Sequence, residues 1–214
     1  MSEHESGDAK PRRHFSLLRT LVLADLLTLG NAASGTMAIF MCLKGLDNNE
    51  PLFIWTAFAL IPVALVLDIL DGFVARWRRR KSYLGADLDS LADSISFGVA
   101  PAVLGYTLGM RGGWDVLVLV LFVTAGIARL ARYNATLDDL SGEGGKVRYY
   151  EGLPIPSSVL LVAMLAVAFA TDAVGARLWF GAVELLGTPL HPLVLVYLLS
   201  GCAMVSATLR IPKP

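Results

Sequence analysis

Long apolar runs separated by short polar stretches make up most of the chain. Six of these runs are long enough to cross a bilayer, because about 20 apolar residues in a helix span the hydrocarbon layer. They lie at Leu26–Leu43, Leu52–Ala75, Leu84–Leu108, Trp114–Leu130, Ile155–Ala170 and Leu190–Leu209. The runs are too long and unbroken for barrel strands, so the pattern predicts an all-α integral membrane protein with six transmembrane helices.

Composition supports this class of fold. Of the 214 residues, 55% are hydrophobic and only 17% are charged, whereas a soluble domain carries about 25% charged residues. The two cysteines, Cys42 and Cys202, both fall in apolar runs. We therefore interpret them as small packing residues and not as a disulfide or a metal pair.

The positions of the basic residues predict the orientation. If the N-terminus is cytoplasmic, 15 of the 18 Lys and Arg residues lie on the cytoplasmic side, as the positive-inside rule requires. Both termini are then cytoplasmic, and the chain is a multi-pass protein of the cell (cytoplasmic) membrane. The expected organisation is a tail and juxtamembrane segment at 1–25, a six-helix domain at 26–209 and a second tail at 210–214.

Three segments outside the spans have distinct predictions. Arg12–Leu23 mixes basic and apolar residues, which fits either an interfacial helix on the inner leaflet or a basic flank that sets topology. The polar, Gly-rich stretch Asp138–Arg148 predicts a cytoplasmic loop. Val174–Gly187 contains Trp179 and Phe180. Aromatic residues are typical of membrane–water interfaces, so this segment is expected at the interface on the non-cytoplasmic side.

Four aspartates occupy the ends of the second and third spans that face each other. Asp68 and Asp71 are three residues apart, and Asp89 and Asp93 are four apart, so each pair shares one helix face. The second span descends to the cytoplasmic side and the third returns from it. Both pairs are therefore expected at a similar depth, in the cytoplasmic half of the membrane.

An ionised Asp within a span costs about 2.5–3.5 kcal/mol on insertion scales, and clustered carboxylates also repel one another. Each aspartate would therefore stay protonated or need a cation. Oxygen ligands of this kind suit a hard divalent ion, Mg²⁺, Mn²⁺ or Ca²⁺, and two ions would suit phosphoryl transfer. The alternative is a solvated helix–loop–helix with its aspartates in water, which the surrounding apolar residues disfavour. Asp87 points away from Asp89, so we interpret it as an interfacial charge.

These residues form a spaced pattern that resembles the signature of the CDP-alcohol phosphatidyltransferase family. The pattern is Asp68-x2-Asp71-Gly72-x2-Ala75-Arg76-x8-Gly85-x3-Asp89-x3-Asp93. Further segments resemble the serine-transferring branch of that family, namely Thr28–Asn31, Leu88–Asp93, Ser96–Pro101, Ala128–Asn134 and Gly152–Pro156. Ala24-Asp25 departs from the Pro-Asn expected there, which affects only the geometry at the start of the first span.

The resemblance implies an enzyme with its active site open to the cytoplasm. It implies six core transmembrane helices, a homodimer among membrane lipids, and no nucleic-acid partner. The implied reaction converts CDP-diacylglycerol and L-serine into phosphatidylserine and CMP. By the same resemblance, the metal ligands are Asp68, Asp71, Asp89 and Asp93, and Asp93 is also the candidate catalytic base.

Small residues in the motif fit a bound CDP-lipid. Gly72, Ala75 and Gly85 let a ligand approach the helix backbone closely, although Gly72 alone could equally be a packing residue. Arg76 is expected near the phosphates or beside the aspartates, with a snorkelling topology residue as the alternative. The expected CDP-lipid contacts are Gly72, Ala75, Arg76, Gly85, Thr28 and Asn31.

Serine carries a carboxylate that needs a cation when it leaves water. Arg129 and Arg132 share a helix face at the cytoplasmic end of the fourth span, with Asn134 just beyond, and Arg can bind a carboxylate through two parallel hydrogen bonds. We therefore expect these three residues to bind serine. Alternatively, both arginines contact lipid phosphates and fix topology.

Two other functions compete with serine transfer. The acceptor could be glycerol phosphate or an inositol compound. The aspartates could also form the translocation site of a divalent-cation transporter, but such proteins tend to have broken helices at the midplane and repeated halves. The sequence has neither, and its aspartates lie toward one side of the membrane.

Overall fold

The computed structural model describes residues 23–78, 85–143, 149–206 and 210–212, and most of them are helical. The α-helices, in chain order, are α1 (Leu23–Asn48), α2 (Pro51–Arg78), α3 (Gly85–Asp93), α4 (Ala100–Leu108), α5 (Gly113–Glu143), α6 (Val159–Ala170) and α7 (Leu195–Val205). A π-helical turn, Ser94–Val99, joins α3 to α4. Short 3₁₀ turns occur at Ile155–Ser158, Gly175–Arg177 and Pro192–Val194.

Four of the helical segments are long and apolar enough to cross a membrane, and the chain is a multi-pass membrane protein. They are Leu23–Asn48, Pro51–Trp77, Gly85–Leu108 and Gly113–Ala135. Of two shorter apolar segments, Ile155–Ala170 has the bounds of the fifth predicted span, and Pro192–Val205 lies within the sixth, Leu190–Leu209. Many large apolar side chains on these helices are exposed, such as Phe40 and Leu160, as expected of surfaces that face lipid.

The structure corrects three details of the sequence prediction. The fold is not purely helical, because β1 (Tyr149–Glu151) pairs with β4 (Arg210–Pro212) and β2 (Val183–Leu185) pairs with β3 (Thr188–Leu190), both antiparallel. The loop expected from Asp138 begins later, since α5 continues through Glu143. Both cysteines are free, but only Cys42 is buried, so the packing interpretation is wrong for Cys202.

Some predictions fall outside the described residues. The juxtamembrane segment from Arg12 to Val22 is one of them, and the link at 79–84 between the second and third spans is another. The segment Val174–Gly187 is described, and it forms a 3₁₀ turn followed by the first strand of the β2–β3 hairpin. Trp179 there is half-buried and Phe180 is exposed.

The bundle is held together by an apolar core at the centre of the helices. Tyr197 of α7 is fully buried, and its ring lies edge-on to Phe122 of α5 at 5.1 Å between centroids. Its hydroxyl donates a 2.7 Å hydrogen bond to the carbonyl of Pro101. A buried phenol needs a polar partner, and because this partner belongs to α4, the bond joins α7 to α4.

The π-helical turn in the third span has a local cause. Pro101 has no N–H to donate to the carbonyl four residues earlier, which disrupts regular α-helical bonding. Ala100 N instead donates to the carbonyl of Ile95, five residues earlier. The wider turn lies directly after Asp93 and presents Ser96 to α1. Ser96 contacts Gly35 of α1 so closely that a Cβ added at Gly35 would clash with the Ser96 backbone.

At the far end of α4, a buried aspartate fixes the connection between helices. Asp115 is fully buried at the start of α5. Its carboxylate accepts hydrogen bonds from Gly112 N at 2.9 Å and from His191 N at 2.8 Å. The His191 ring contributes a third contact, with Nδ1 2.6 Å from Asp115 Oδ2. The segment after the β2–β3 hairpin is thereby tied to α5.

Candidate metal centre

Three of the four predicted aspartates converge in the structure. Asp68 and Asp71 project from α2 and Asp89 from α3, and one carboxylate oxygen of each lies within 4.8 Å of the others. Asp71 is only 6% exposed, and the other two are half-buried. The three-residue spacing puts Asp68 and Asp71 on one face of α2, and α3 brings the Asp89 carboxylate to the same place.

The donor set fits a divalent cation. No described Lys or Arg forms a salt bridge with these carboxylates, since the ion pairs of the described residues lie elsewhere. Asp89 Oδ1 is buried and has no hydrogen-bond partner among the described residues. Buried oxygens left without donors are costly unless a cation satisfies them, and carboxylate oxygens are ligands that Mg²⁺ and Mn²⁺ prefer.

Helix α1 supplies polar support to the aspartates. The Thr28 hydroxyl donates to Asp71 Oδ2 at 2.7 Å, and Thr28 is itself buried. One turn before Thr28, Asp25 is also buried and interacts electrostatically with Asp71. Thr28 therefore orients one carboxylate of the cluster, and its predicted contact with the CDP-lipid stays a prediction.

Asp93 lies outside the group of three converging carboxylates. It is 6% exposed, and its Oδ1 accepts a 3.2 Å hydrogen bond from Asn31 Nδ2. The carbonyl of Asn31 in turn accepts a bond from Ser96 Oγ at 2.9 Å. A role for Asp93 as a ligand of a second ion stays a prediction.

The small residues of the motif border this cluster. Gly72 follows Asp71 directly, and a Cβ added there would lie 3.4 Å from Arg76 Nη1. The guanidinium of Arg76 therefore folds back over Gly72. Ala75 and Gly85 are half-buried on α2 and at the first position of α3.

The three predicted serine contacts lie on α5 and have different surroundings. Asn134 Nδ2 donates to Ser90 Oγ at 2.9 Å, and Ser90 is the neighbour of Asp89. Arg129 is 7% exposed and lies 5.6 Å from the centre of the Tyr133 ring. Arg132 Nη1 donates to the carbonyl of Val205 at 3.1 Å, so one of its donors is used to bind the end of α7.

The Gly152–Pro156 segment meets the same end of α7. Leu153 N donates to the carbonyl of Ala203 at 3.0 Å. Gly152 adopts a φ of +76° and lies so close to Met204 O that a Cβ would clash. Only glycine combines that backbone conformation with such a close approach, which explains its place in the motif.

Sequence reasoning missed several residues around the site. Gly35 and the π-helical turn were not predicted, although Pro101 inside a helix and a lone Gly in an apolar run are signals of irregular or close packing. Ser90 and Ser96 were noticed only as parts of longer resembling segments. Their partners, Asn134 and Asn31, are 44 and 65 residues away, which no local pattern reveals.

Known proteins resemble this chain over most of its length. Residues 21–190 match the family model for CDP-alcohol phosphatidyltransferases. A Saccharomyces cerevisiae protein named CDP-diacylglycerol--serine O-phosphatidyltransferase is 41% identical over 204 residues, which are 94% of this chain and 74% of the yeast protein.

Two prokaryotic relatives are covered less completely. A Mycobacterium bovis protein of the same name is 36% identical over 75% of this chain and 53% of its own length. The archaetidylserine synthase of Methanothermobacter thermautotrophicus is 39% identical over 67% of this chain and 57% of its own length. The chain thus spans a little over half the length of these two relatives.

Proposed function

The chain belongs to the CDP-alcohol phosphatidyltransferase family, and from this premise we propose that it transfers a phosphatidyl group from CDP-diacylglycerol to the hydroxyl of L-serine, releasing CMP. The relatives that carry the serine-transferase name cover up to 94% of this chain. The observation that carries the proposal is the group of three carboxylates on α2 and α3, whose oxygens lie within 4.8 Å of one another.

Asp68, Asp71 and Asp89 are the residues that would hold divalent metal, with Asp93 sharing a second ion. Bound Mg²⁺ or Mn²⁺ would neutralise the diphosphate and stabilise the charge that develops during its cleavage. Thr28 keeps the Asp71 carboxylate in place through its hydroxyl. Arg76, folded over Gly72, adds a positive charge beside the phosphates.

Asp93 acts as the base in this proposal. Its carboxylate takes the proton of the serine hydroxyl as the serine oxygen bonds to the phosphorus that carries diacylglycerol. The anhydride bond between the two phosphates breaks, and the phosphate attached to cytidine leaves as part of CMP. The proton passes from Asp93 to water after the product departs.

The remaining residues of the site bind the two substrates. Gly72, Ala75 and Gly85 leave room for the cytidine and diphosphate along the helix backbones. Arg129 and Arg132 bind the serine carboxylate, and Asn134, anchored to Ser90, lines the same region. Asn134 supports this proposal because Ser90 directly follows Asp89 in α3.

The membrane arrangement in this proposal has six transmembrane helices within residues 26–209. Both short tails are cytoplasmic, and the active site opens to the cytoplasm at the cell membrane. The excess of Lys and Arg on that side supports the orientation. The protein acts as a homodimer among membrane lipids.

An acceptor panel tests the proposed function. Purified protein with Mg²⁺ or Mn²⁺ is given CDP-diacylglycerol or its archaeol counterpart, together with labelled serine, glycerol phosphate or inositol. We expect serine to give the largest kcat/KM, with CMP released in equal amount. A larger kcat/KM for glycerol phosphate or inositol would assign the chain to another branch of the family.

A further inference from the structure

Asn31 of α1 occupies an unusual position beside the proposed base. It is fully buried, and its Nδ2 donates to Asp93 Oδ1 at 3.2 Å. An ionised carboxylate can only accept hydrogen bonds, so the amide must turn its N–H group toward Asp93. The orientation of the whole amide is thereby fixed.

The other end of the same amide is left without a partner. Asn31 Oδ1 is buried and meets no donor among the described residues. A buried acceptor of this kind weakens the fold unless a ligand satisfies it. The atom shares the planar amide with Nδ2, so a donor bound there lies next to the Asp93 carboxylate.

The backbone around Asn31 is held tightly to the third span. The Asn31 carbonyl accepts a 2.9 Å bond from Ser96 Oγ. One turn later, Gly35 lies against the Ser96 backbone so closely that any Cβ there would clash. The π-helical turn at Ser94–Val99 begins right after Asp93, so these contacts fix the positions of Asn31 and Asp93 relative to each other.

We propose that Asn31 is the positioning residue for Asp93 and that its Oδ1 accepts a hydrogen bond from the ammonium group of the acceptor, an inference that rests on the proposed serine transfer. Serine carries its hydroxyl and ammonium on adjacent carbons. A serine whose hydroxyl reaches Asp93 can therefore place its ammonium on the neighbouring amide oxygen. Asn31 thus orients the base and selects an acceptor that bears an amine.

Asn31→Leu tests both parts, because it removes the amide and keeps the number and branching of the side-chain heavy atoms. We expect kcat to fall by about 100-fold and KM for serine to rise by about 10-fold. The inhibition constant of 3-hydroxypropionate, which has serine's hydroxyl and carboxylate but no ammonium, should change by less than about 2-fold. Calorimetric CMP affinity should also stay within about 2-fold, which shows that the nucleotide site is intact.

Two further variants separate positioning from folding. Thr36→Val on the same helix removes a hydroxyl whose hydrogen bond, within the described residues, goes to the Ala32 carbonyl. It should leave kcat and serine KM unchanged. Ser96→Ala removes one hydroxyl and the bond to the Asn31 carbonyl, and it should lower kcat several-fold with CMP affinity retained. This variant tests the positioning role if Asn31→Leu does not fold.

Several results would overturn the inference. Unchanged kcat in both Asn31→Leu and Ser96→Ala contradicts positioning, and weaker CMP binding with normal kcat makes Asn31 a nucleotide contact. Equal weakening of serine and 3-hydroxypropionate contradicts the ammonium contact. If wild-type protein uses another alcohol and not serine, the proposed function fails, and the positioning role is then judged from kcat with that alcohol.

Discussion

Two ends of the same helical bundle bury aspartates, and they treat them in opposite ways. At one end, Asp115 is fully buried and satisfied by Gly112 N, His191 N and the His191 ring. At the other end, the four carboxylates of α2 and α3 receive two side-chain hydrogen bonds among the described residues, from Thr28 and Asn31. Three of these carboxylates lie close enough to repel one another.

The difference distinguishes an aspartate that stabilises the fold from aspartates that are arranged to bind a ligand. When a buried carboxylate stabilises a fold, its oxygens accept hydrogen bonds from donors of the protein. A cluster with an unsatisfied oxygen, such as Asp89 Oδ1, destabilises the fold unless a cation binds or the carboxylates are protonated. The contrast therefore predicts that the two kinds of aspartate respond differently when they are replaced by asparagine.

The largest expected effect is on activity at the cluster. Asp89→Asn removes a proposed metal ligand. We expect phosphatidyl transfer to fall by about 1,000-fold or more, because the charge of the diphosphate would no longer be neutralised. Thermal unfolding in EDTA should show equal or higher stability than wild type, since one repelling charge is gone. A large loss of stability in EDTA would make Asp89 a structural residue like Asp115.

Next in size is the effect at Asp93. Asp93→Asn keeps the shape but cannot take a proton, so we expect kcat to fall by about 100- to 10,000-fold. CMP affinity, measured by calorimetry with Mg²⁺ present, should be retained. Near-normal kcat would show that another group is the base.

The matched change at the other end should affect stability alone. In Asp115→Asn the side chain offers a single acceptor oxygen to three donors. We therefore expect the free energy of unfolding to fall by about 1–3 kcal/mol. Activity per folded molecule should equal that of wild type. Thermal unfolding in detergent measures the stability. Turnover divided by the number of CMP-binding sites measures the activity per folded molecule. Lost turnover in well-folded Asp115→Asn would break the comparison.

The smallest expected effect concerns the acceptor. Arg129→Lys or Arg132→Lys replaces a planar fork by a point charge, so we expect serine KM to rise by about 10-fold with little change in CDP-lipid KM. Serine methyl ester, which lacks the carboxylate, should be a poor substrate of wild type. If both variants keep a normal serine KM and the ester reacts as well as serine, the carboxylate is bound elsewhere.

The sequence predicts the helical membrane fold and the converging aspartates well, for physical reasons. Apolar runs must be helical in lipid, and the spacing of Asp68 and Asp71 puts both on one face of a helix. Contacts such as Asn31 with Asp93, 62 residues apart, depend on how helices pack. The π-helical turn has a local signal in Pro101, but the close contact of its Ser96 with Gly35 likewise depends on packing.

The end of the bundle that contains Asp115 was the least predictable region. Asp115 and His191 are 76 residues apart, and neither belongs to a motif. The short strands β2 and β3 are mostly exposed, so no alternating apolar pattern marks them. Polar contacts of this kind follow from the folded arrangement and leave no periodic signal in the chain.

The most direct test is the metal dependence of wild-type turnover. Enzyme stripped with EDTA and freed of chelator is given CDP-diacylglycerol and serine, and phosphatidylserine formation is followed as Mg²⁺ or Mn²⁺ is added. The three-aspartate centre predicts no product before addition and a saturable return to the full rate afterwards. Full turnover by the stripped enzyme, unaffected by added metal, would contradict a metal site at Asp68, Asp71 and Asp89.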